Sequence, residues 1–337
     1  MTDILNAFVV LSNFVLIPAF SYGCQLALGA LGVTLIYGIL RFSNFAHGDT
    51  MAFGGMITIL FTWLFQSWGI NFGPLPTALL ALPIGIVLTA LFVLGTDRVV
   101  YRFYRVQKAK PVILVIVSMG VMFVMNGLVR FIIGPDDQRF SDGERFIISV
   151  REFKAMTGLK EGLAFKMSQG ITVVTAIIAV ALLFWFLNRT RTGKSMRAYS
   201  DNEDLALLSG INPERVVMVT WIIVATLATV AGVLYGLDKS YKPFVFLQLL
   251  LPIFASAVVG GLGNPLGAIA GGFVIAFSEV LITYPFKKVV TYLGPDGWKP
   301  DGLLQILSTD YKFAVSFSIL LIVLLFRPTG LFKGKSV

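Results

Sequence analysis

Nine long apolar runs follow one another along the chain, separated by short polar links: Tyr22–Leu40, Met51–Trp68, Leu75–Thr96, Pro111–Ile133, Gln169–Leu187, Val217–Leu237, Leu247–Gly260, Pro265–Thr283 and Phe313–Phe326. A helix that crosses the hydrocarbon of a bilayer needs roughly 20 mostly apolar residues, because every backbone polar group must find its partner within the segment. The pattern therefore predicts an all-α integral membrane protein. Its architecture is a polytopic bundle of about 8–10 transmembrane segments, some broken or re-entrant, with residues 1–337 forming one transmembrane domain. A tenth apolar stretch, Ile4–Phe20, carries Asn6, Asn13 and Pro18 and abuts the first run with almost no loop. It either spans or lies along the interface.

Composition agrees with the pattern. Hydrophobic residues make up 56% of the chain and charged residues 13%, where a soluble domain carries roughly a quarter charged. The mean hydropathy is +0.83. The net charge of +9 is gathered in particular links. Asp97–Lys110 holds Arg98, Arg102, Arg105, Lys108 and Lys110, and Arg189–Arg215 holds Arg189, Arg191, Lys194, Arg197 and Arg215. Arg327, Lys333 and Lys335 follow the last run. By the positive-inside rule these links, the 188–216 segment and the C-terminus are cytoplasmic. The longest link, 134–168, has six acids against six bases and is placed outside. From an outer link at 238–246, an inner tail needs three more crossings, or one crossing and a re-entrant pair supplied by Leu247–Thr283. The excess of bases sets orientation and attracts lipid headgroups; no basic stretch is interleaved with stacking aromatics as a nucleic-acid groove requires.

The N-terminus does not read as a cleaved leader, because Asp3 stands where a basic region is expected. Cys24 is the only cysteine, so no internal disulfide exists, and Tyr22 is a poor fit to a lipidation signal. Cys24 reads as a small packing residue.

Three segments depart from plain spans. Asn44-Phe45-Ala46-His47-Gly48-Asp49 contains the only histidine and reads either as a short cytoplasmic loop or as a helix break lining a cavity. His47 has no neighbours that would complete a metal-ligand set. Val258–Gly267 carries Gly260, Gly261, Gly263, Asn264 and Pro265, a density that disfavours a straight helix. Gly267 and Gly271 form a small-xxx-small face suited to close helix packing. The third segment, Gly193–Pro213, lacks the upstream glycine of a phosphate-binding loop. It predicts instead a short helix with Asp201, Glu203 and Asp204 at its start and Leu205, Leu207 and Leu208 on an apolar side, ended by Gly210 and Pro213. Such a helix docks on a soluble partner or lies on the membrane surface.

These segments also recur together in a known order. NFAHGD at 44–49, the stretch 193–215 ending in GINPER, AGVLYG at 231–236, GGLGNPLG at 260–267 and RPTG at 327–330 resemble the LivH-type permease of high-affinity branched-chain amino-acid ABC importers. Asp204-Leu205-Ala206 followed by Gly210 is similar to a degenerate EAA…G loop, by which importer permeases engage their ATPases. The resemblance implies a second homologous permease subunit, two cytoplasmic ABC ATPases, an external solute-binding protein and residence in a bacterial inner membrane. It also implies no cofactor in this chain, ATP and magnesium belonging to the ATPases. Asn202, Asp204, Ala206, Gly210 and Ile211 are the expected coupling residues. The expected substrate pathway is Asn44, His47, Gly48, Asp49, Gly260, Gly261, Gly263 and Asn264.

The chemistry of the residues is compatible with that reading. A hydrophobic zwitterion needs polar partners for its two charged ends, and broken-helix termini supply them without full charges. Ionisable residues within the runs are few, chiefly His47, Asp49 and Glu279, which argues against a proton or sodium path. No paired carboxylates, nucleophile triad or metal cluster can be assembled, which argues against an enzyme. Two other readings remain: a urea or short-amide permease of the same family, and a self-sufficient ion-coupled transporter or channel.

Overall fold

The computed structural model describes residues 2–140, 142–294 and 302–332. Lys333 and Lys335 of the basic tail lie outside the described residues. Nine helices among those described are long and apolar enough to cross a membrane. The first two apolar stretches form one of them. α1 (Thr2–Leu11), a π-helical segment (Ser12–Leu16) and α2 (Ile17–Leu40) run on as a single 39-residue helix. At 1.5 Å per residue this is about 58 Å, nearly twice the hydrocarbon thickness. Ile4–Phe20 therefore continues the first span without a break, and Ile4, Leu5, Phe8 and Phe14 present an exposed apolar face. Asn6 and Asn13 show why it is ordered, since their Oδ1 atoms accept from Glu161 N and Ala164 N at 3.1 and 3.0 Å.

The chain then passes through α3 (His47–Ser67), α4 (Ala78–Thr96), which continues through a π-helical segment into α5 (Arg102–Val106), and α6 (Pro111–Ile133). A link follows that holds α7 (Val150–Thr157) and a small antiparallel pair, β1 (Phe146–Ile148) and β2 (Phe165–Lys166). Next come α8 (Met167–Arg189), α9 (Arg191–Asp201), α10 (Glu203–Leu208) and α11 (Pro213–Asp238). The last part comprises α12 (Pro243–Gly260), α13 (Pro265–Thr283), α14 (Lys287–Leu293) and α15 (Lys312–Phe326). Proline stands in the first turn of α6, α11, α12 and α13, where its missing N–H has no helical partner to lose.

α12 and α13 replace the expected re-entrant pair. With 18 and 19 residues they extend about 27 and 28 Å, enough for two full crossings, so α12, α13 and α15 supply three. Their hairpin is tight because glycine lets the backbones touch. A methyl group on Gly260 would collide with the Gly267 carbonyl, and one on Gly271 with the Ser256 carbonyl.

Alternation of the nine spans sorts the links into two ends, and hydrogen bonds agree with the sorting. At the basic end Arg41 Nη2 donates to Ser200 O at 2.7 Å and Ser200 Oγ to Gly38 O at 2.9 Å. Leu331 N donates to Val259 O at 2.8 Å at that same end. At the opposite end Thr77 N donates to Asp142 Oδ2 at 2.9 Å, Gln138 pairs with Tyr241, and Lys288 Nζ sits 2.8 Å from Glu161 Oε2. α2, α3 and α11 are mostly buried, whereas α4, α6, α8 and α15 turn most of their side chains outward.

Candidate functional site

Asn44–Asp49 lies in the middle of the bundle. α2 ends where Arg41 takes a left-handed φ of 59°, and the chain turns back without forming an exposed loop. Asn44 is 3% exposed; its Oδ1 accepts from Ala46 N at 3.1 Å and from Tyr101 Oη at 3.2 Å. Phe45 N donates to Ser118 Oγ at 3.1 Å, and the Phe45 ring lies 5.3 Å from that of Phe254. Of the two readings this is the helix break covered by protein.

α3 starts at His47, not at Met51, and its first turn is sealed. His47 and Asp49 are both 0% exposed. Gly32 on α2 has no side chain and so leaves room for the His47 ring, which lies against the α2 backbone at Gly29. Asp49 Oδ1 accepts from Asn126 Nδ2 at 2.7 Å, while Oδ2 is buried without a partner. Gly48 sits against the Phe246 carbonyl, where a side chain would clash. Tyr241 Oη closes this layer by donating to Ala52 O at 2.7 Å.

The glycine-rich turn is elsewhere. Gly48 packs at Phe246 and Gly260 lies fourteen residues further along α12, about 21 Å away. The other end of the first break comes nearer, since Phe45 packs on Phe254, six residues or about 9 Å along α12 from Gly260. Gly261 and Gly263 adopt φ of 108° and 82°, which only glycine takes without strain. Asn264 caps α13: its Oδ1 accepts from Leu266 N at 3.1 Å and Gly267 N at 3.2 Å, and its Nδ2 donates to Phe332 O at 3.4 Å. The turn instead borders a cavity of about 400 Å³ at the basic end, shared with Thr34, Gly38, Arg197 and Ser200. It is thus next to the 188–216 segment, which spacing along the chain could not show.

That segment folds as two short helices. Asn202 Oδ1 accepts from Leu205 N at 3.0 Å and caps α10, and Asn212 caps α11 through Arg215 N at 3.3 Å. Tyr199 Oη donates to Glu203 Oε1 at 2.6 Å and ties α9 to α10; burial, with the Glu203 carboxylate beside it, raises the Tyr199 phenol well above its ordinary pKa. Gly210 takes a left-handed φ of 79°, and Ile211 N donates to Ala206 O at 3.1 Å to end the helix. Asp204 is exposed, but Ala206 is 3% exposed and faces this chain. The outward face is Leu205, Leu207 and Leu208, at 61%, 42% and 85% exposed. A bulky residue at Ala206 would thus disturb this protein before it met a partner.

One network escaped the sequence reading. Asp97, 8% exposed, accepts from Trp221 Nε1 at 2.8 Å and Arg105 Nη1 at 2.7 Å, and Glu214 joins through Arg102 and Arg105 at 3.4 and 3.6 Å. It fastens α5 to the base of α11, immediately after the α10 turn. The signal was the lone acid beside five bases in Asp97–Lys110.

A bundle of nine span-length helices around a buried polar layer, with an uncovered apolar patch at its basic end, is the construction of a membrane permease. Residues 16–324 match the family described as "Branched-chain amino acid transport system / permease component", and the chain belongs to that family. It is 29% identical over 319 residues to the high-affinity branched-chain amino acid transport system permease protein LivH of Escherichia coli (strain K12), covering 94% of this chain and 93% of that protein. It is 28% identical over 325 residues to the counterpart named BraD of Pseudomonas aeruginosa, covering 96% of each. A more partial likeness, 29% over 167 residues and 49% of this chain against 47% of the relative, is to the fructose import permease protein FruG of Bifidobacterium longum.

Proposed function

We propose that this chain is the membrane-spanning subunit of an ATP-driven importer and passes branched-chain amino acids handed over by an external solute-binding protein. The observation that carries the reading is similarity over nearly the whole length to permeases named for that cargo. The FruG likeness covers half of the chain and shows that the frame alone does not choose a substrate, so the cargo rests on the full-length relatives. No observation favours urea or short amides.

In this reading the membrane is a bacterial inner membrane, 134–168 faces outward, and 188–216 and the C-terminus face the cytoplasm. A second homologous permease completes the path. The chain is non-catalytic, and ATP and magnesium are held by two ATPases. Leu205, Leu207 and Leu208 support this last assignment, since three large apolar side chains side by side at a basic end fit a groove on a soluble subunit. The test is to co-purify this chain with candidate ATPases, partner permease and solute-binding protein, and to find which binding protein stimulates ATP hydrolysis. That protein is expected to bind leucine, isoleucine or valine. Stimulation only by one that binds a sugar or an amide would overturn the cargo.

A further inference from the structure

A cavity of about 280 Å³ lies at the end opposite the basic one, between the start of α2 and α11, α13 and α15. Its floor is polar. Glu279 is 2% exposed; one carboxyl oxygen accepts from Ser316 Oγ, and the other, Oε2, is buried with no well-aligned hydrogen bond. Tyr22 lies beside the same carboxyl, its buried phenol facing that carboxyl as a weakly aligned hydrogen-bond donor. No ion pair to Glu279 forms among the described residues. The rim carries two ammonium groups: Lys312, whose charge acts on the Glu279 carboxyl, and Lys239, 3.3 Å from Asp238. Phe14, Pro18, Val280 and Tyr284 make an apolar wall.

A buried carboxylate whose second oxygen has only a weakly aligned phenol beside it is costly unless a cation arrives, and here the fixed cations stop at the rim. An acid at the floor, bases at the mouth and an apolar wall complement a molecule with an ammonium, a carboxylate and an aliphatic side chain. We propose that this cavity is an outer binding site for a free α-amino acid, with Glu279 and Tyr22 holding the ammonium, Lys312 and Lys239 the carboxylate, and the apolar wall the side chain.

The same face of α2 continues the polar surface inward. Tyr22, Gln25, Gly29 and Gly32 follow at helical spacing on one stripe. Gln25 is 2% exposed with both amide atoms unpartnered, and Gly32 makes room for the His47 ring, which lies against the Gly29 backbone. This polar stripe extends about 15 Å from the cavity floor into the bundle. The site rests on the reading of the chain as an amino-acid permease and gives that reading its point of uptake.

The experiment uses the whole reconstituted complex without its solute-binding protein, with Cys24→Ala and Thr309→Cys in this chain. The rate at which the thiol introduced at position 309 is alkylated by a charged reagent is followed by mass. Leucine is expected to slow the reaction about tenfold, the factor that one charge-assisted hydrogen bond carries, whereas 4-methylpentanoate, which lacks the ammonium, protects far less. Glu279→Gln, which keeps the shape and the Ser316 bond, should remove protection by leucine. Lys312→Gln should weaken protection by leucine and leave that by 3-methylbutylamine unchanged; as a rim variant it keeps the test open if Glu279→Gln fails to assemble. Equal protection by leucine in wild type and Glu279→Gln, or none in a wild-type complex that takes up leucine with its binding protein, overturns the site alone. Absence of both uptake and protection overturns the site and the functional reading together.

Discussion

Leu208 and Ala206 stand two residues apart on the same six-residue helix, yet their replacement should have opposite consequences. Leu208 is 85% exposed, so Leu208→Glu removes almost no contact within this chain and should change its stability by less than about 0.5 kcal/mol. If α10 seats in a groove of an ATPase, the lost burial of a leucine costs about 1.5–3 kcal/mol of association, a weakening of roughly ten- to a hundredfold. Ala206 is 3% exposed, and its carbonyl accepts the Ile211 N–H that closes the helix. Ala206→Arg forces a long charged side chain into that packing and should destabilise the α9–α10 unit by about 1–3 kcal/mol. The assay pairs thermal unfolding of each purified variant with titration of the ATPase onto it in nanodiscs. The expected pattern is a normal unfolding temperature with weak ATPase binding for Leu208→Glu, and a lowered unfolding temperature for Ala206→Arg. Wild-type ATPase affinity and wild-type coupled uptake in Leu208→Glu would refute the docking argument.

Three further outcomes follow from single observations. Asn264→Leu removes a cap that holds two N–H groups and should cost about 1 kcal/mol in detergent-solubilised unfolding while leaving uptake per assembled complex unchanged, whereas Asn264→Asp should be nearly silent; a specific transport defect in Asn264→Leu would restore a pathway role. In a Cys24→Ala background, cysteines at exposed positions 103 and 198 should label only from the cytoplasm and one at 145 only from outside, and labelling of 145 from within would invert the topology. Partial burial pushes the Glu161 carboxyl up, but hydrogen bonds from Lys288 and Tyr292 more than offset it and leave its pKa below the ordinary value. A carboxyl depressed by folding contributes stability above its unfolded pKa and loses it as pH falls through the folded one, so hydrogen exchange at 159–164 should accelerate only on acidification below about pH 4, and not in Lys288→Met.

The apolar pattern located the spans well because bilayer thickness dictates their length whatever they pack against. It could not find where helices begin. His47 opens α3 four residues before the apolar run, and Pro243 opens α12 four residues before Leu247, because initiation depends on caps and buried turns rather than hydropathy. Nor did it show that Thr2–Leu40 is continuous, since a π-helical segment leaves no mark in an apolar sequence. At the site, the chemistry was legible and the geometry was not. Asn44, Asp49 and Glu279 stood out as rare polar groups, but their partners Tyr101, Asn126 and Ser316 lie 57, 77 and 37 residues away. The glycines at 260–267 announced a turn, and the close approach of α12 and α13 accounts for Gly260 and Gly267. In α10 the three leucines were correctly placed on an exposed apolar side, whereas six residues are too few to reveal that Ala206 points the other way.

The most direct test of the central claim is leucine uptake into vesicles holding this chain, its partner permease and the two ATPases, with solute-binding protein outside and ATP inside. Accumulation that requires both ATP and the binding protein, and that is indifferent to collapse of proton and sodium gradients, is the predicted result. Uptake by this chain alone, driven by an ion gradient and unaffected by ATP, would contradict the account.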